Sequence, residues 1–324
     1  MDNVTHTLTG LMLARSGLGG KTKSAAVLMM LAANAPDMDV VSWFGGSLTY
    51  LEHHREYTHS LAFAPLVALV PFALVRWLGR APLGFIAYLG ALAAVLSHLL
   101  LDLTNVYGVR LFLPFSERWL RLDITDVVDP WILAILILAL GAPALVKLVS
   151  DEIGGKRQPA PKHGWALFAL LALFLYDCGR FVSHERALAV LNSHLWGGAL
   201  AARVTATPDR LNPTHWRGIV EGEGFVYEAP VRVLEDFNPA AGHIAYPPAS
   251  SPAIDAAKKT RAFEVFGRFN QLPFWKLLPV ADGLRVELID LRFGTPERPG
   301  FLAEAVVEPG GHVADARFSF GLPR

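Results

Sequence analysis

Apolar runs long enough to cross a bilayer recur through the first 182 residues of the chain and stop there. Four are strong by length and apolarity: 61–79 (LAFAPLVALVPFALVRWLG), 83–105, 130–149 and 164–182. Each matches the roughly 20 apolar residues that a helix needs to span the hydrocarbon core. Two weaker stretches precede them, at 4–19 and 24–43, both interrupted by polar side chains. The pattern predicts an all-α polytopic membrane bundle of about six spans, the first two weaker, over residues 1–182. Residues 183–203 read as a connecting helix that leaves the membrane. The period then changes. Residues 215–235 read as paired strands around Gly-rich turns, 253–271 as a helix, and 284–293, 301–308 and 312–320 as further strands. A small soluble α+β domain over 204–324 is expected to follow the bundle.

Composition fits this division. The chain is 52% hydrophobic and 18% charged with a mean hydropathy of +0.35, below the roughly 25% charge of a soluble domain. Formal net charge is zero and no basic tract occurs, so nucleic acid is not an expected partner. The single cysteine, Cys178, excludes an intramolecular disulfide and a cysteine-based zinc cluster. The start, MDNVTHTLTG, lacks the basic opening and compact apolar core of a cleavable signal peptide, so the first membrane helix is expected to do the targeting.

Loop charge gives an orientation. Arg15, Lys21 and Lys23, then Arg76 and Arg80, then Lys147, Lys156, Arg157 and Lys162 fall in loops expected to be cytoplasmic. The opposite loops carry Arg55, Arg110, Arg118 and Arg121, diluted by Glu52, Glu56, Glu117, Asp123, Asp126 and Asp129. The reading is an integral protein of a bacterial-type plasma (inner) membrane, in contact with its lipid bilayer, with the C-terminal domain on the outer face.

Ionisable groups inside membrane segments cost several kcal/mol and point to function. His6 opens the first stretch, APDMDV (35–40) puts Asp37 and Asp39 at the end of the second, and HREYTHS (54–60) supplies His54 and His59. SHLLLD (97–102) sets His98 and Asp102 at i and i+4, on one helix face. With the orientation above, all of them converge on the outward side. Singly, each has a plainer explanation, such as a hydrogen bond within a bundle or an Asx turn; the convergence is what points to a metal. Neutral imidazoles and carboxylates are ligands for Zn²⁺, Mn²⁺ or Fe²⁺ without thiolates. Seven donors exceed one tetrahedral site, so one or two divalent ions, zinc first among them, are expected.

These residues, in this order, resemble the membrane-bound metal-dependent hydrolase family (YdjM-like). The resemblance covers about residues 1–135, through SHLLLDLTNVYGVRLFLPF (97–115) and VDPW (128–131). Its specific parts are the His-Arg-x-x-Thr-His-Ser element and the His-x-x-x-Asp helix. The family is similar, in its mix of histidines and aspartates, to zinc-dependent phospholipase C enzymes. What the resemblance implies is an integral membrane protein with a metal-centred hydrolytic site, its ligands His6, Asp37, Asp39, His54, His59, His98 and Asp102.

The mechanism expected is hydrolysis of a phosphoester or lipid-linked substrate at the outer membrane–water interface. Asp39 or Asp102, whichever is not fully ligated, is the expected general base. Arg55 or Arg110 would hold a phosphate, with core salt bridging the alternative for Arg55. His53 is expected beside the site, with Thr58, Ser60 and Asp129 supporting it. A competing reading is a non-catalytic metal protein, either a transporter or a scaffold. The plain apolar cores of 61–79 and 130–149 argue against a conduction path. A third reading places function in the C-terminal domain, with His215, Trp216, Arg217 and His243 as contacts.

Overall fold

The computed structural model describes residues 1–18, 24–79, 83–152 and 163–321. Of the loop cations that set the expected orientation, Lys21, Lys23, Arg80, Lys156, Arg157 and Lys162 lie outside the described residues.

The helical region begins with α1 (Asn3–Arg15) and α2 (Ala25–Asn34). A 3-10 segment (Pro36–Gly45), α3 (Ser47–His53) and a 3-10 turn (Tyr57–His59) follow. Then come α4 (Ala64–Gly79), α5 (Phe85–Thr104), α6 (Pro130–Glu152) and α7 (Gly164–Asn192). Helices α5, α6 and α7 are long and apolar enough to cross a membrane. Counted as one span each, two bent pairs, α2 with the 3-10 segment and the 47–59 stretch with α4, would bring the number to at most five among the described residues. The sixth expected span is not reached. Its sequence, 4–19, is the 13-residue α1, about 20 Å long against a core of about 30 Å. Helix α7 continues unbroken to Asn192, so the first part of the segment expected as a connecting helix is helical and continuous with the 164–182 stretch.

Beyond α7 the chain forms two four-stranded antiparallel sheets. The first contains β1 (Arg203–Pro208), β2 (His215–Gly222), β3 (Phe225–Arg232) and β4 (His243–Ala245) in that order. The second contains β5 (Pro273–Val280), β6 (Gly283–Asp290), β7 (Phe301–Val307) and β8 (Val313–Phe320). Between them lie α8 (Pro252–Lys258) and α9 (Arg261–Phe269), where the periodicity predicts one helix over 253–271. Ile219 and Val226 of the first sheet share a buried core with Leu272, Phe274, Ile289 and Leu291 around the second.

By compactness the chain forms two units. The first comprises Met1–Met38, Arg55–Arg186 and Pro208–Trp216; the second comprises Asp39–His54, Ala187–Thr207 and Arg217–Arg324. In the first, α2, α4 and α5 bury one apolar cluster, built around Leu28, Met29, Ala68, Ala91 and Val95. Helices α1, α6 and α7 bury another, around Met12, Ile132, Leu136 and Ala169. Close approach of α1 to α2 depends on Gly10, where a Cβ would meet the Met29 carbonyl at 2.5 Å and the Ala33 Cβ at 2.9 Å. Small residues let membrane helices pack backbone to backbone in this way. In the second unit, α3 packs on α9 and β8.

Candidate metal centre

The first unit gathers five of the seven expected donors. His6 lies on α1, Asp37 just beyond α2, His59 on the 3-10 turn, and His98 and Asp102 one turn apart on α5. His6, His59, His98 and Asp102 are fully buried, and Asp37 is partly buried. Two donor groups form within this unit, His6/His98/Asp102 and Asp37/His59/His98.

The tautomer of His98 follows from its environment. Its Nδ1 donates to the Ala33 carbonyl at 2.7 Å, and a carbonyl only accepts, so Nε2 carries a lone pair. That carbonyl is available because α2 ends at Asn34, and the last carbonyls of a helix have no intrahelical donor. His59 shares its Nδ1 with the Thr58 hydroxyl at 3.0 Å, which turns its Nε2 inward.

The inward atoms crowd together. His59 Nε2 stands 3.2 Å from His98 Nε2, 3.4 Å from Asp37 Oδ1 and 3.5 Å from Asp102 Oδ2. His98 Nε2 lies 3.3 Å from Asp102 Oδ2 and 3.7 Å from Asp37 Oδ1. Donors bound tetrahedrally at about 2.0–2.2 Å stand about 3.3–3.6 Å apart. The residues therefore fit a divalent ion. A second observation agrees: neither ring nitrogen of His6, nor Asp102 Oδ2, has a hydrogen-bond partner among the described residues. Buried polar atoms left so cost about 1–3 kcal/mol each, and a cation among them removes that cost. Because its Nδ1 is committed to Ala33, His98 can serve one ion only.

Asp102 is the charged anchor. Arg55 donates to its Oδ1 at 2.9 Å and His6 Nε2 lies 3.5 Å from the same oxygen. The Met1 amino nitrogen also contacts it. Arg55 further donates to the Gly108 carbonyl at 2.9 Å and stacks over the Tyr107 ring at 4.5 Å. Its backbone takes φ +62°, a left-handed conformation that a non-glycine residue adopts at some cost. Arg55 thus braces a carboxylate, one of the two roles expected of it. Arg110 pairs with Glu56 at 2.9 Å and stacks over Trp119 at 5.0 Å.

Asp39 and His54 belong to the second unit, where His54 Nδ1 bonds Asp39 Oδ1 at 2.8 Å. His53 is exposed at the end of α3. Ser60 donates to the Leu113 carbonyl and accepts from Ala62, so it fastens the chain entering α4. Asp129 accepts from Tyr176 at 3.0 Å and from the backbone of Trp131 and Ile132, which makes it the cap of α6.

Three of the four C-terminal candidates are tied into the fold. Trp216 is buried and donates to Ser183 at 2.9 Å. His215 bonds Asn212 at 3.1 Å, and His243 is exposed on β4. Arg217 binds the carbonyls of Gly294 and Leu291 and lies 3.6 Å from Glu228. Burial holds the Arg217 guanidinium below its ordinary range and pushes the Glu228 carboxyl above its own.

Sequence reasoning missed the Ala33 carbonyl and Tyr107. The first carries no side-chain signal; the second lies inside the 97–115 stretch as an aromatic residue with no spacing rule to mark it.

The profile of the family described as "YdjM inner membrane protein" matches residues 1–187, a stretch that holds every residue of the His/Asp set. The "Uncharacterized protein YfhP" of Bacillus subtilis (strain 168) is 24% identical over 337 residues, covering 99% of this chain and 94% of its own. No solved structure matches.

Proposed function

The chain belongs to the YdjM inner membrane protein family, and on that premise we propose that it is a metal-dependent hydrolase embedded in the membrane. Its substrate class is a phosphoester or lipid-linked molecule met at the outer membrane–water interface, the side to which loop charge assigns the centre and the C-terminal domain. The observation that carries the reading is the set of donor separations, 3.2–3.7 Å, among Asp37, His59, His98 and Asp102.

A bound zinc ion, or manganese or iron in its place, would supply Lewis acidity and acidify a water at the centre. The protein's own residues do the rest. Ala33 and Thr58 hold the two imidazoles with Nε2 inward. Arg55 holds Asp102 pointed into the centre. Asp102, committed to Arg55 and the imidazoles, suits a ligand better than a proton acceptor. Asp39, hydrogen-bonded to His54, is then the proposed general base of the two aspartates considered. Where a second ion is held, Asp39 and His54 would be its donors instead, as the next donors along the chain from Asp37. Arg110, already paired with Glu56, is the more accessible of the two arginines for a substrate phosphate.

One observation favours a second reading. Complete burial of His6, His59, His98 and Asp102 also suits an ion that only ties α1, α2 and α5 together. One experiment separates the two. Protein purified in detergent is assayed for bound metal per chain and for release of water-soluble phosphate from phospholipid vesicles. A His98→Ala/Asp102→Ala double variant runs beside it. Metal and hydrolysis both lost in the variant support the hydrolase. Metal in the wild type with no hydrolysis of any phosphoester tried supports the scaffold, and no metal under replete conditions removes both readings.

A further inference from the structure

Asp39 and His54 lie near the N-terminus in sequence, yet the residues that fix them belong largely to the C-terminal strands and helices of the same compact unit. The Tyr50 ring stacks on His54, with centroids 4.5 Å apart and planes within 19°. Tyr50 also meets Trp43 edge-on at 5.1 Å and Phe320 of β8 edge-on at 6.0 Å. Phe320 stacks against Trp43 at 5.7 Å. Two further ties flank these rings. Ser47 donates to the Phe318 carbonyl at 3.3 Å, and Glu52 pairs with Arg261 at 3.0 Å and Arg268 at 3.6 Å. Both arginines are more than 60% exposed, and exposed ion pairs contribute little. The ring cluster therefore carries most of the hold.

The contacts form one line: Phe320 to Tyr50, Tyr50 to His54, His54 to Asp39. We infer that the C-terminal domain is a positioning element for the Asp39–His54 pair, acting through Phe320 and Tyr50. The inference rests on the metal-dependent reading above. It gives the second domain a task that needs no ligand of its own. Asp39 stands two residues after Asp37 and His54 immediately before Arg55, so the backbone ties both ends of this segment to residues of the metal centre. A displacement of β8 is therefore expected to loosen the Asp39–His54 pair.

The test uses the full-length protein in detergent, with Phe320→Ala and Phe320→Tyr beside the wild type. Hydrogen exchange of 47–54 and of β5–β8 is measured, together with zinc affinity. Phe320→Ala is expected to speed exchange in 47–54 while β5–β8 stay protected. Zinc affinity should fall about ten- to a hundredfold, the usual cost of losing a residue that orients a ligand. Phe320→Tyr keeps the ring and should keep both properties. Should Phe320→Ala also loosen β5–β8, Tyr50→Leu, which lies outside the sheet, carries the same two measurements. Faster exchange with unchanged zinc affinity overturns the inference, as does unchanged exchange. A wild-type protein that binds no ion overturns the metal reading itself, and the inference with it, before any variant is made.

Discussion

Replacing Asp102 by Asn tests the centre most sharply, because the side chain keeps its shape and loses only its charge. In the native protein that charge faces Arg55 at 2.9 Å, His98 at 3.3 Å and His59 at 3.5 Å, with no solvent exposure. Breaking a buried ion pair by removing one partner costs about 3–5 kcal/mol, since the other charge is left uncompensated. Arg55 retains the Gly108 carbonyl and the Tyr107 face, which places the cost near the lower end, about 3 kcal/mol. For a unit of this size that is a fall of about 6–12 °C in Tm. The assay is a thermal-shift series in detergent at pH 7, with excess chelator and with a zinc titration. Asp102→Asn should lose stability in chelator, where no metal contributes, and should also lose most of the zinc-dependent rise in Tm. His98→Ala removes a donor but leaves the Arg55–Asp102 pair, so in chelator it should cost less than Asp102→Asn while abolishing the same zinc response. A variant Asp102→Asn with wild-type Tm in chelator and a wild-type zinc response would refute both the buried pair and the ligand assignment.

Other expectations can be checked with the same protein. His54→Ala or Asp39→Asn should leave one ion per chain where the wild type holds two, read by elemental analysis; an unchanged ratio removes both residues from the donor set. Gly10→Ala drives a methyl into the Met29 carbonyl, an overpacking worth about 1–3 kcal/mol. Zinc affinity should drop with helix content unchanged by circular dichroism. The pH response of the C-terminal domain depends on Glu228, whose carboxyl burial raises above its ordinary range. A raised folded-state pKa gives stability that is present below the unfolded value and lost as pH rises through the folded one. Glu228→Gln should therefore be more stable than the wild type at pH 7–8 and lose that advantage towards pH 4. A variant less stable at pH 7 would mean that the pairing with Arg217 outweighs the burial.

Much of the centre was legible before any coordinates. His98 and Asp102 four apart on one helix face follow from helix period alone, and the expected convergence of His6, Asp37 and His59 on them appears in the two donor groups. The strands β2, β3, β6, β7 and β8 were likewise visible in alternation and turn residues. What could not be read is what depends on distant pairing. Ser47 and Phe318 are 271 positions apart, and no local pattern says that residues 39–54 fold with the C-terminal strands. The count of six spans is not confirmed for a local reason: α1 has 13 residues, and the helix expected over 24–43 breaks after Asn34, which frees the carbonyl that meets His98. Strand β5, with prolines at 273 and 279, lacked the alternation that marked its neighbours.

The enclosure of the centre bears on how fast an ion comes and goes. With His6, His59, His98 and Asp102 all closed off from solvent, and His98 pinned to the end of α2, exit of an ion held there calls for local opening of the elements around it. Residence time is then set by the frequency of this local opening rather than by the strength of the ligand bonds. A chelator would strip the protein at a rate independent of chelator concentration.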